Sequence, residues 1–385
     1  MDRGTEGKVS ERQADTVIES EQLEEERLYY ATQWQLMWWQ YKKNRLAFVG
    51  MFVLGIMYLM ALSAGVLAPY EPTERFGGLE MAPPTRIRIY SQEGGLQRPF
   101  IYKLQGTVDM NTLRRVFVED TSQKYPIHFF VESKPHKLLS VIPVRWRLFG
   151  TKGAPLFIFG ADHLGRDLFS RTIYGSSISL FIGFGGVVVT FLIGITLGGM
   201  AGYVGGSVDE IIMRVIDFML SIPSIPLWMA LAAAVPREWP VIRTYFAITL
   251  ILSVMGWGGL ARTVRGRLLS LREEDFVMAA RVYGASTARV VFRYMLPNFM
   301  SYLLVYVTLA IPYMILGETA LSFLGLGIQP PAVSWGTLLQ DAQNLTVVAQ
   351  RPWQLIPGGF VVITVLMFNF IGDGLRDAAD PYARH

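Results

Sequence analysis

Three polar side chains near the middle of the sequence are of the types that bind metals or exchange protons. Asp162, His163 and Asp167 lie close together in the stretch that starts at Gly160. A zinc or transition-metal site of this kind normally includes a second histidine or a cysteine, and the neighbouring sequence offers neither. The chain contains no cysteine at all, which excludes a disulfide framework and a thiol nucleophile. We predict that the chain has no metal site.

The sequence also lacks the common catalytic motifs. It has no G-x-x-x-x-G-K-[ST] phosphate-binding loop, so it cannot hydrolyse ATP by that mechanism. The motifs G-x-S-x-G, H-E-x-x-H and S-x-x-K, which supply nucleophiles or zinc ligands in hydrolases, are absent as well. We therefore predict that the chain is not an enzyme, has no catalytic residue and binds no cofactor of its own.

A second group of polar residues interrupts apolar segments and indicates a transport path. Ionisable residues at membrane depth tend to face a cavity or the inside of a helix bundle, and prolines free backbone carbonyls that water can satisfy. The charges that open the segment 209–235 could equally lie in the membrane interface, and Glu318 could either pair within a bundle or line an outer gate. The candidate pore-lining residues are Asp217, Ser221, Pro223, Ser224, Pro226 and Glu318.

The overall composition is that of a membrane protein. Of the 385 residues, 51% are hydrophobic and only 17% are charged, and the mean hydropathy is +0.33. A soluble protein of this length is normally more polar. We predict an all-α polytopic membrane protein with six transmembrane helices and a small strand-containing insertion outside the membrane.

Apolar stretches and charges divide the chain into five parts. The first residues are polar and aperiodic, as in a disordered tail. Trp34, Met37, Trp38 and Tyr41 recur at helical spacing before a basic cluster, which predicts a helix along the membrane surface or against a partner. The predicted parts are a cytoplasmic tail (1–20), an interfacial helix (21–45), a first span (46–68), an extracytoplasmic insertion (69–171) and a transmembrane core (172–385) with a cytoplasmic loop at 266–297.

The insertion and the span that follows it have different patterns. Residues 86–90, 100–104 and 128–131 alternate or are rich in β-branched and aromatic residues, which predicts strands. Residues 172–208 carry no charge, and their glycines recur every four residues at Gly194, Gly198 and Gly202. This spacing favours close helix packing in a membrane, with flexing at the glycines as the alternative.

A polar stretch between two apolar spans, residues 272–298, predicts two short helices hinged at Gly284. Its acidic first turn suits a helix start, and a glycine commonly ends a helix. Pro297 is expected to end the second helix and open the next span. Between residues 262 and 293, seven arginines outnumber three acidic residues, which places the loop in the cytoplasm by the positive-inside rule.

This stretch resembles the "EAA" coupling loop of ABC-importer membrane subunits. Two alanines are followed by a glycine four residues later and then by a Leu-Pro pair, while Met278 stands where the family usually has glutamate. Small residues ringed by arginines form a surface that another protein can approach closely. The resemblance implies that ATPase subunits contact this loop through Asp275, Met278, Ala279, Ala280, Gly284, Ala285, Ser286, Leu296 and Pro297.

Two further stretches resemble the membrane subunits of dipeptide, oligopeptide and nickel importers. Residues 160–171 are similar to the G-x-D-x-x-G-R-D signature that precedes the second span, and Asp167 and Arg171 have the spacing of a helical ion pair. Residues 329–336 are similar to the loop before the last span, where we expect a re-entrant or surface helix. Together with the C-terminal segment from Asp373, they identify the chain as resembling a C-type permease of this group.

The resemblance implies half of the pore of an ATP-driven importer, most often for peptides. The implied partners are a homologous second permease, two ABC ATPases that carry ATP and magnesium, and an extracytoplasmic solute-binding protein, with no nucleic acid. The chain would then be a multi-pass protein of a prokaryotic inner membrane with both termini in the cytoplasm. Nickel and oligosaccharides are alternative substrates within the same group.

Two other functional classes fit the sequence less well. An ion-coupled secondary transporter or channel often has internal repeats or paired broken helices, and we find no repeat. It would also leave the arginine-rich loop unexplained. A membrane-bound enzyme acting on lipid or peptidoglycan would need a cluster of acids, bases or nucleophiles between Glu71 and Lys152, where His128 and His136 are the only histidines.

Overall fold

The fold consists of membrane-length helices and one antiparallel sheet. A computed structural model describes residues 32–91, 95–110, 114–138, 142–236 and 238–379. The helices are α1 (Gln33–Lys43), α2 (Arg45–Leu62), α3 (Ala64–Leu67), α4 (Leu168–Val204), α5 (Gly206–Ser221), α6 (Ser224–Ala233), α7 (Val241–Leu271), α8 (Asp275–Val282), α9 (Thr287–Arg289), α10 (Met300–Phe323), α11 (Trp335–Leu339), α12 (Leu345–Gln350) and α13 (Ile356–Ala379). The strands are β1 (Arg88–Ser91), β2 (Gly95–Asp109), β3 (Arg114–Leu138) and β4 (Ile142–Thr151).

The apolar helices have the length needed to cross a membrane. Among the residues that the structure describes, five helical segments are long and apolar enough to span it, and the pair α5–α6, bent by 87°, makes a sixth if it counts as one span. The five segments are Arg45–Leu62, Leu168–Val204, Val241–Leu271, Thr287–Phe323 and Pro352–Ala379. The structure confirms the predicted polytopic helical fold with a small strand-containing insertion.

The glycines of α4 let this helix pack tightly against α7. A Cβ atom added at Gly198 would lie 2.5 Å from the carbonyl oxygen of Ala261, and one at Gly202 would lie 2.8 Å from that of Arg265. One helical turn earlier, Gly194 faces the side chain of Leu260 at the same close range. Such approach of two backbones requires residues without a side chain, so the predicted packing role of these glycines is confirmed.

Helix α1 lies against the start of α2 and the end of α13. Thr32 and Gln35 form a capping box at its start. Met37 and Tyr41 are buried in a cluster with Ala47 and Ala378, and the Tyr41 hydroxyl donates to the Ala47 carbonyl at 3.0 Å. The three tryptophans of this helix, Trp34, Trp38 and Trp39, are exposed. Residues 1–31 of the predicted tail and interfacial helix lie outside the described residues.

The insertion folds as a four-stranded antiparallel sheet in the order β1-β2-β3-β4. Strand β3 is long enough to pair with β2 through its first half and with β4 through its second half. The sheet is joined to the end of the first span by Arg147, whose guanidinium donates to the Ala68 carbonyl at 3.1 Å and to Glu71 at 2.9 Å. The predicted strand segments at 100–104 and 128–131 lie within β2 and β3.

The segment between the fifth and sixth candidate spans packs into the helix bundle. Trp335 at the start of α11 is fully buried, and its indole N–H donates to the Thr172 carbonyl on α4 at 3.1 Å. Gly336 approaches α10 so closely that a Cβ atom there would lie 2.7 Å from the Thr319 carbonyl oxygen. Buried contacts therefore hold this segment in the bundle, and its expected form, a re-entrant or a surface helix, stays a prediction.

Candidate functional site

The polar loop after α7 presents a short helix, α8, on a buried base. Val277 is fully buried and Ala280 nearly so, and both pack in a cluster with Leu268 and Val290. Phe276, Met278, Val282 and Tyr283 point away from this base, and the last two are 86% and 90% exposed. An isolated eight-residue helix is unstable in water, so the buried side holds the exposed side in place.

Gly284 closes this helix in a left-handed conformation, with φ at +76°. The Gly284 N–H donates to the Arg281 carbonyl at 2.9 Å, and the Ala285 N–H donates to the Ala280 carbonyl at 3.0 Å. These two bonds form a Schellman motif, which satisfies the carbonyls at the helix end. No atom lies within 4 Å of the Cβ position of Gly284, so backbone conformation, and not space, requires glycine here.

The second half of the loop differs from the sequence prediction. Ser286 caps a short helix by accepting from the Arg289 N–H at 3.4 Å, and the chain continues through a π-helical turn (Val290–Met295) and a 3-10 turn (Leu296–Phe299) into α10. Pro297 lies in the first turn of the 3-10 segment, directly after the π-helical turn ends at Met295, so the helix type changes at the predicted place while the chain continues as one helical segment, Thr287–Phe323. Leu296 is buried and Pro297 is exposed.

Most of the predicted coupling residues lie together on this loop, but not all of them are accessible. Asp275, Met278, Ala279, Gly284 and Ser286 are exposed, whereas Ala285 is half-buried and Ala280 and Leu296 are buried. Ala280 and Leu296 therefore pack in the core beneath the loop and do not contribute to its exposed surface.

Sequence reasoning missed the contact that joins this loop to α4. The Arg281 guanidinium lies over the ring of Tyr203, 4.8 Å from its centroid, and its Nε donates to the Tyr203 hydroxyl at 3.2 Å. Tyr203 stands in the last turn of α4, the glycine-rich span. The sequence prediction also did not include the exposed residues Val282 and Tyr283. An exposed aromatic directly before a helix-ending glycine is the signal that could have identified the pair.

The bent pair α5–α6 carries most of the predicted pore residues. The chain breaks at Ile222 and Pro223, between Ser221, the last residue of α5, and Ser224, the first of α6. Ser221, Pro223 and Pro226 are exposed, and the half-buried Ser224 lies 3.2 Å from the Tyr313 hydroxyl on α10.

The charges on α5 are mostly paired with arginines of α7. Asp217 accepts from Arg262 at 2.6 Å, and Asp209 accepts from two nitrogens of Arg265. Glu210 and Arg214 are exposed and lie 3.9 Å apart on the helix surface. These pairs tie the start of the bent helix to the span that leads into the α8 loop.

Glu318 is set apart from the other pore candidates, because it is fully buried within this chain. Its carboxylate accepts from the Ser322 hydroxyl at 2.6 Å and from the Ser179 hydroxyl at 3.3 Å. The side chain therefore lies in the bundle, between α10 and α4.

The loop before α4 contains a buried ion cluster. Asp162 accepts from Arg166 at 2.7 Å and also from Arg171. Burial would raise the pKa of Asp162, but Arg171 and Arg166 together hold that pKa below its usual value. Asp167 instead caps α4 by accepting from the Ser170 N–H at 2.7 Å, and burial raises its pKa to about 7. The predicted pairing of Asp167 with Arg171 is wrong, because the loop folds back and brings Asp162 to the arginine.

His163 faces a different element from its neighbours. Its Nδ1 lies 2.7 Å from an oxygen of Asp341, in the 3-10 turn that follows α11. This hydrogen bond raises the pKa of His163. The three side chains that suggested a metal site therefore have separate partners, and no group of three metal-binding side chains occurs in the part of the chain that the structure covers.

Comparison with known proteins identifies the family of this architecture. A family model described as "Binding-protein-dependent transport system inner membrane component" matches residues 194–385, and one described as "N-terminal TM domain of oligopeptide transport permease C" matches residues 32–84. The oligopeptide transport system permease protein OppC of Bacillus subtilis is 42% identical over 227 residues, which cover 59% of this chain and 72% of OppC. The chain is a binding-protein-dependent ABC permease.

A second relative of this chain is also a peptide permease. The dipeptide transport system permease protein DppC of Bacillus subtilis is 42% identical, over 59% of this chain and 69% of DppC. Among solved structures, the MetNI methionine ABC transporter in an inward-facing conformation has a TM-score of 0.44 at 19% identity, covering 55% of the permease and 97% of that chain. The predicted membership of the ABC-importer permeases is confirmed by the family model and these two relatives.

Proposed function

We propose that this permease forms half of the translocation pore of an ATP-driven importer of peptides. The relatives named as oligopeptide and dipeptide permeases support peptides as the substrate class. The observation that carries the proposal is the α8 loop, where an exposed apolar face stands on a buried base and is closed by a left-handed glycine. Such a rigid projection is suited to transmitting force from a separate motor.

In this proposal the α8 loop binds ABC ATPases on the cytoplasmic side. Two ATPase subunits would hold ATP and magnesium, one for this permease and one for a homologous second permease that completes the pore. A solute-binding protein would deliver the substrate from outside. The permease itself binds no cofactor.

The charge distribution supports this orientation. Arginines near the C-terminal end of α7 and in the α8 loop favour the cytoplasmic side for that end of the span. The sheet of residues 88–151 is then extracytoplasmic, and both termini are cytoplasmic. Exposed tryptophans beside basic residues on α1 support a position of that helix along the inner surface of a prokaryotic inner membrane.

Force applied to α8 has two direct routes into the membrane-spanning helices. Arg281 connects α8 to the end of α4 through Tyr203, and Val277 packs on Leu268 near the end of α7. Helix α7 in turn holds the bent helix α5 through the Arg262–Asp217 and Arg265–Asp209 pairs. Closure of the ATPases would tilt these helices together and move the pore residues of α5–α6 between inward-open and outward-open states.

The test is co-purification of the ATPases with permease variants. Tyr283→Ser removes the most exposed aromatic of the α8 loop, and we expect it to lower the amount of ATPase retained while membrane insertion is unchanged. Leu345→Ser is the matched control, because Leu345 is 83% exposed but lies on α12, outside the loop. If the Tyr283 variant retained as much ATPase as the Leu345 variant, the docking role of the loop would be excluded.

A further inference from the structure

Glu318 stands at the centre of a hydrogen-bond relay that ends on a loop of the proposed pore half. Its two carboxylate oxygens accept from Ser322 and Ser179, both of which are also buried. The Ser322 hydroxyl accepts in turn from the Ile328 N–H at 3.0 Å, and the Ser179 hydroxyl accepts from the Trp335 N–H at 3.0 Å. Each serine hydroxyl therefore links one carboxylate oxygen of Glu318 to one backbone N–H.

The two N–H groups lie near opposite ends of one segment. Ile328 lies in the middle of the loop 324–334, and Trp335 begins α11 directly after it, so together they bracket residues 329–334. The relay reaches this loop from two helices, α10 through Ser322 and α4 through Ser179. One carboxylate is thus linked to the middle of the loop and to its C-terminal end.

The same loop lies beside the proposed pore helix but is loosely packed against it. Two cavities of about 90 and 150 Å³ lie between the loop and the connection from α6 to α7. Their linings include Leu326 and Gln329 from the loop, and Ala233 and Thr244 from the α6–α7 side. Because packing on that side is incomplete, the hydrogen bonds behind the loop carry much of its positioning.

A neutral, apolar residue at position 318 would pack in the bundle at lower cost than a carboxylate. The groups that hydrogen-bond Glu318 are hydroxyls, which stabilise a buried carboxylate less than a cation does. Its presence is explained by the need for two acceptor atoms that orient both serine hydroxyls at once. An alanine or leucine would leave the serines free to rotate away from the backbone N–H groups.

We propose that Glu318 is a positioning residue that holds the middle and the C-terminal end of the 324–334 loop beside the α5–α6 pore segment. This inference rests on the proposed pore function for its consequence in transport, but the relay itself can be tested without transport. It also gives Glu318 a place behind the pore wall instead of in the pore lining.

The test is amide hydrogen exchange of the full permease, assembled in its transporter complex, in peptides that cover residues 326–330 and 333–337. Glu318→Ala is expected to raise exchange in both peptides. Ser322→Ala should raise it only around Ile328, and Ser179→Ala only around Trp335. Loss of one such bond corresponds to an increase in exchange of about 2- to 10-fold. Glu318→Gln keeps only one acceptor oxygen, so it should restore protection at no more than one of the two sites.

The control is Thr319→Ala. Thr319 adjoins Glu318 and is almost fully buried, but its hydroxyl makes no hydrogen bond within the described structure, so exchange should not change. Unchanged exchange in α2 and α13 shows that a variant is folded. The proposal is overturned if Glu318→Ala leaves both peptides protected, or if each serine variant raises exchange in both peptides alike. If exchange follows the prediction but peptide uptake is normal, the relay stands and its role in the proposed pore is refuted.

Discussion

Replacing Gly284 by alanine tests whether the left-handed closure of α8 is needed for ATPase docking. With φ at +76°, an L-residue at this position costs about 1–2 kcal/mol relative to a right-handed conformation. No neighbouring atom lies within 4 Å of the new Cβ, so this conformational cost is the whole expected effect. If docking requires the closed loop, affinity for the ATPases should fall by roughly 5- to 30-fold.

The matched control is Gly266→Ala on α7. Gly266 is exposed like Gly284 and also has open space at its Cβ position, but it lies within a regular helix. Alanine is favoured over glycine there by about 1 kcal/mol, so the variant should bind the ATPases normally. Gly284→Pro should abolish binding, because proline fixes φ near −65° and removes the N–H that donates to Arg281.

The assay is titration of the purified permease pair with ATPase subunits, with membrane insertion measured in parallel. Equal affinities for Gly284→Ala and Gly266→Ala would refute the argument that the closed conformation of the loop is what the ATPases recognise. A loss of insertion in the Gly284 variant would show that the glycine serves folding instead.

Three further predictions concern the stability of the bundle and are checked by thermal unfolding. Gly198→Ala should destabilise by about 1–3 kcal/mol, because its Cβ would press on α7, whereas Gly55→Ala has open space and should be nearly neutral. Arg171→Gln removes one of the two arginines that hold the buried Asp162 carboxylate and should cost about 1.5–3 kcal/mol, against less than about 1 kcal/mol for the exposed Arg214→Gln. The raised pKa of His163 means that its ion pair stabilises the protein below about pH 6.5 and is lost as pH rises through the higher folded-state value, so His163→Gln should remove that part of the pH dependence. Equal midpoints within either pair, or an unchanged pH profile, would contradict these assignments.

Those parts of the fold that depend on local pattern could be predicted from the sequence. Long uncharged runs give the spans, since a helix that satisfies its own backbone is the stable form in lipid. The four-residue spacing of Gly194, Gly198 and Gly202 predicts close packing, and the structure shows its partner in α7. Gly284 was predicted as a hinge because a glycine commonly ends a helix. The structure gives the reason, since Gly284 has a backbone conformation that only glycine adopts readily.

What the sequence could not give depends on contacts between distant segments. Arg171 has an aspartate four residues before it, but the folded loop brings Asp162 closer, and spacing alone favours the wrong partner. The π-helical turn before Pro297 has no sequence signature, so the continuous helical segment Thr287–Phe323 could not be predicted. The relay from Glu318 joins residues 139 positions apart through Ser179, which no local pattern can indicate.

We propose above that separate ATPase subunits bind the loop carrying α8 on the cytoplasmic side of the membrane. Because the chain has no cysteine, Tyr283→Cys gives a single reactive position on that loop. We predict that it cross-links to an ATPase subunit in the assembled transporter and reacts with an impermeant thiol reagent only from the cytoplasmic side. Labelling from the outer side, or absence of any cross-link from Tyr283→Cys and Met278→Cys in a complex that transports, would contradict the account.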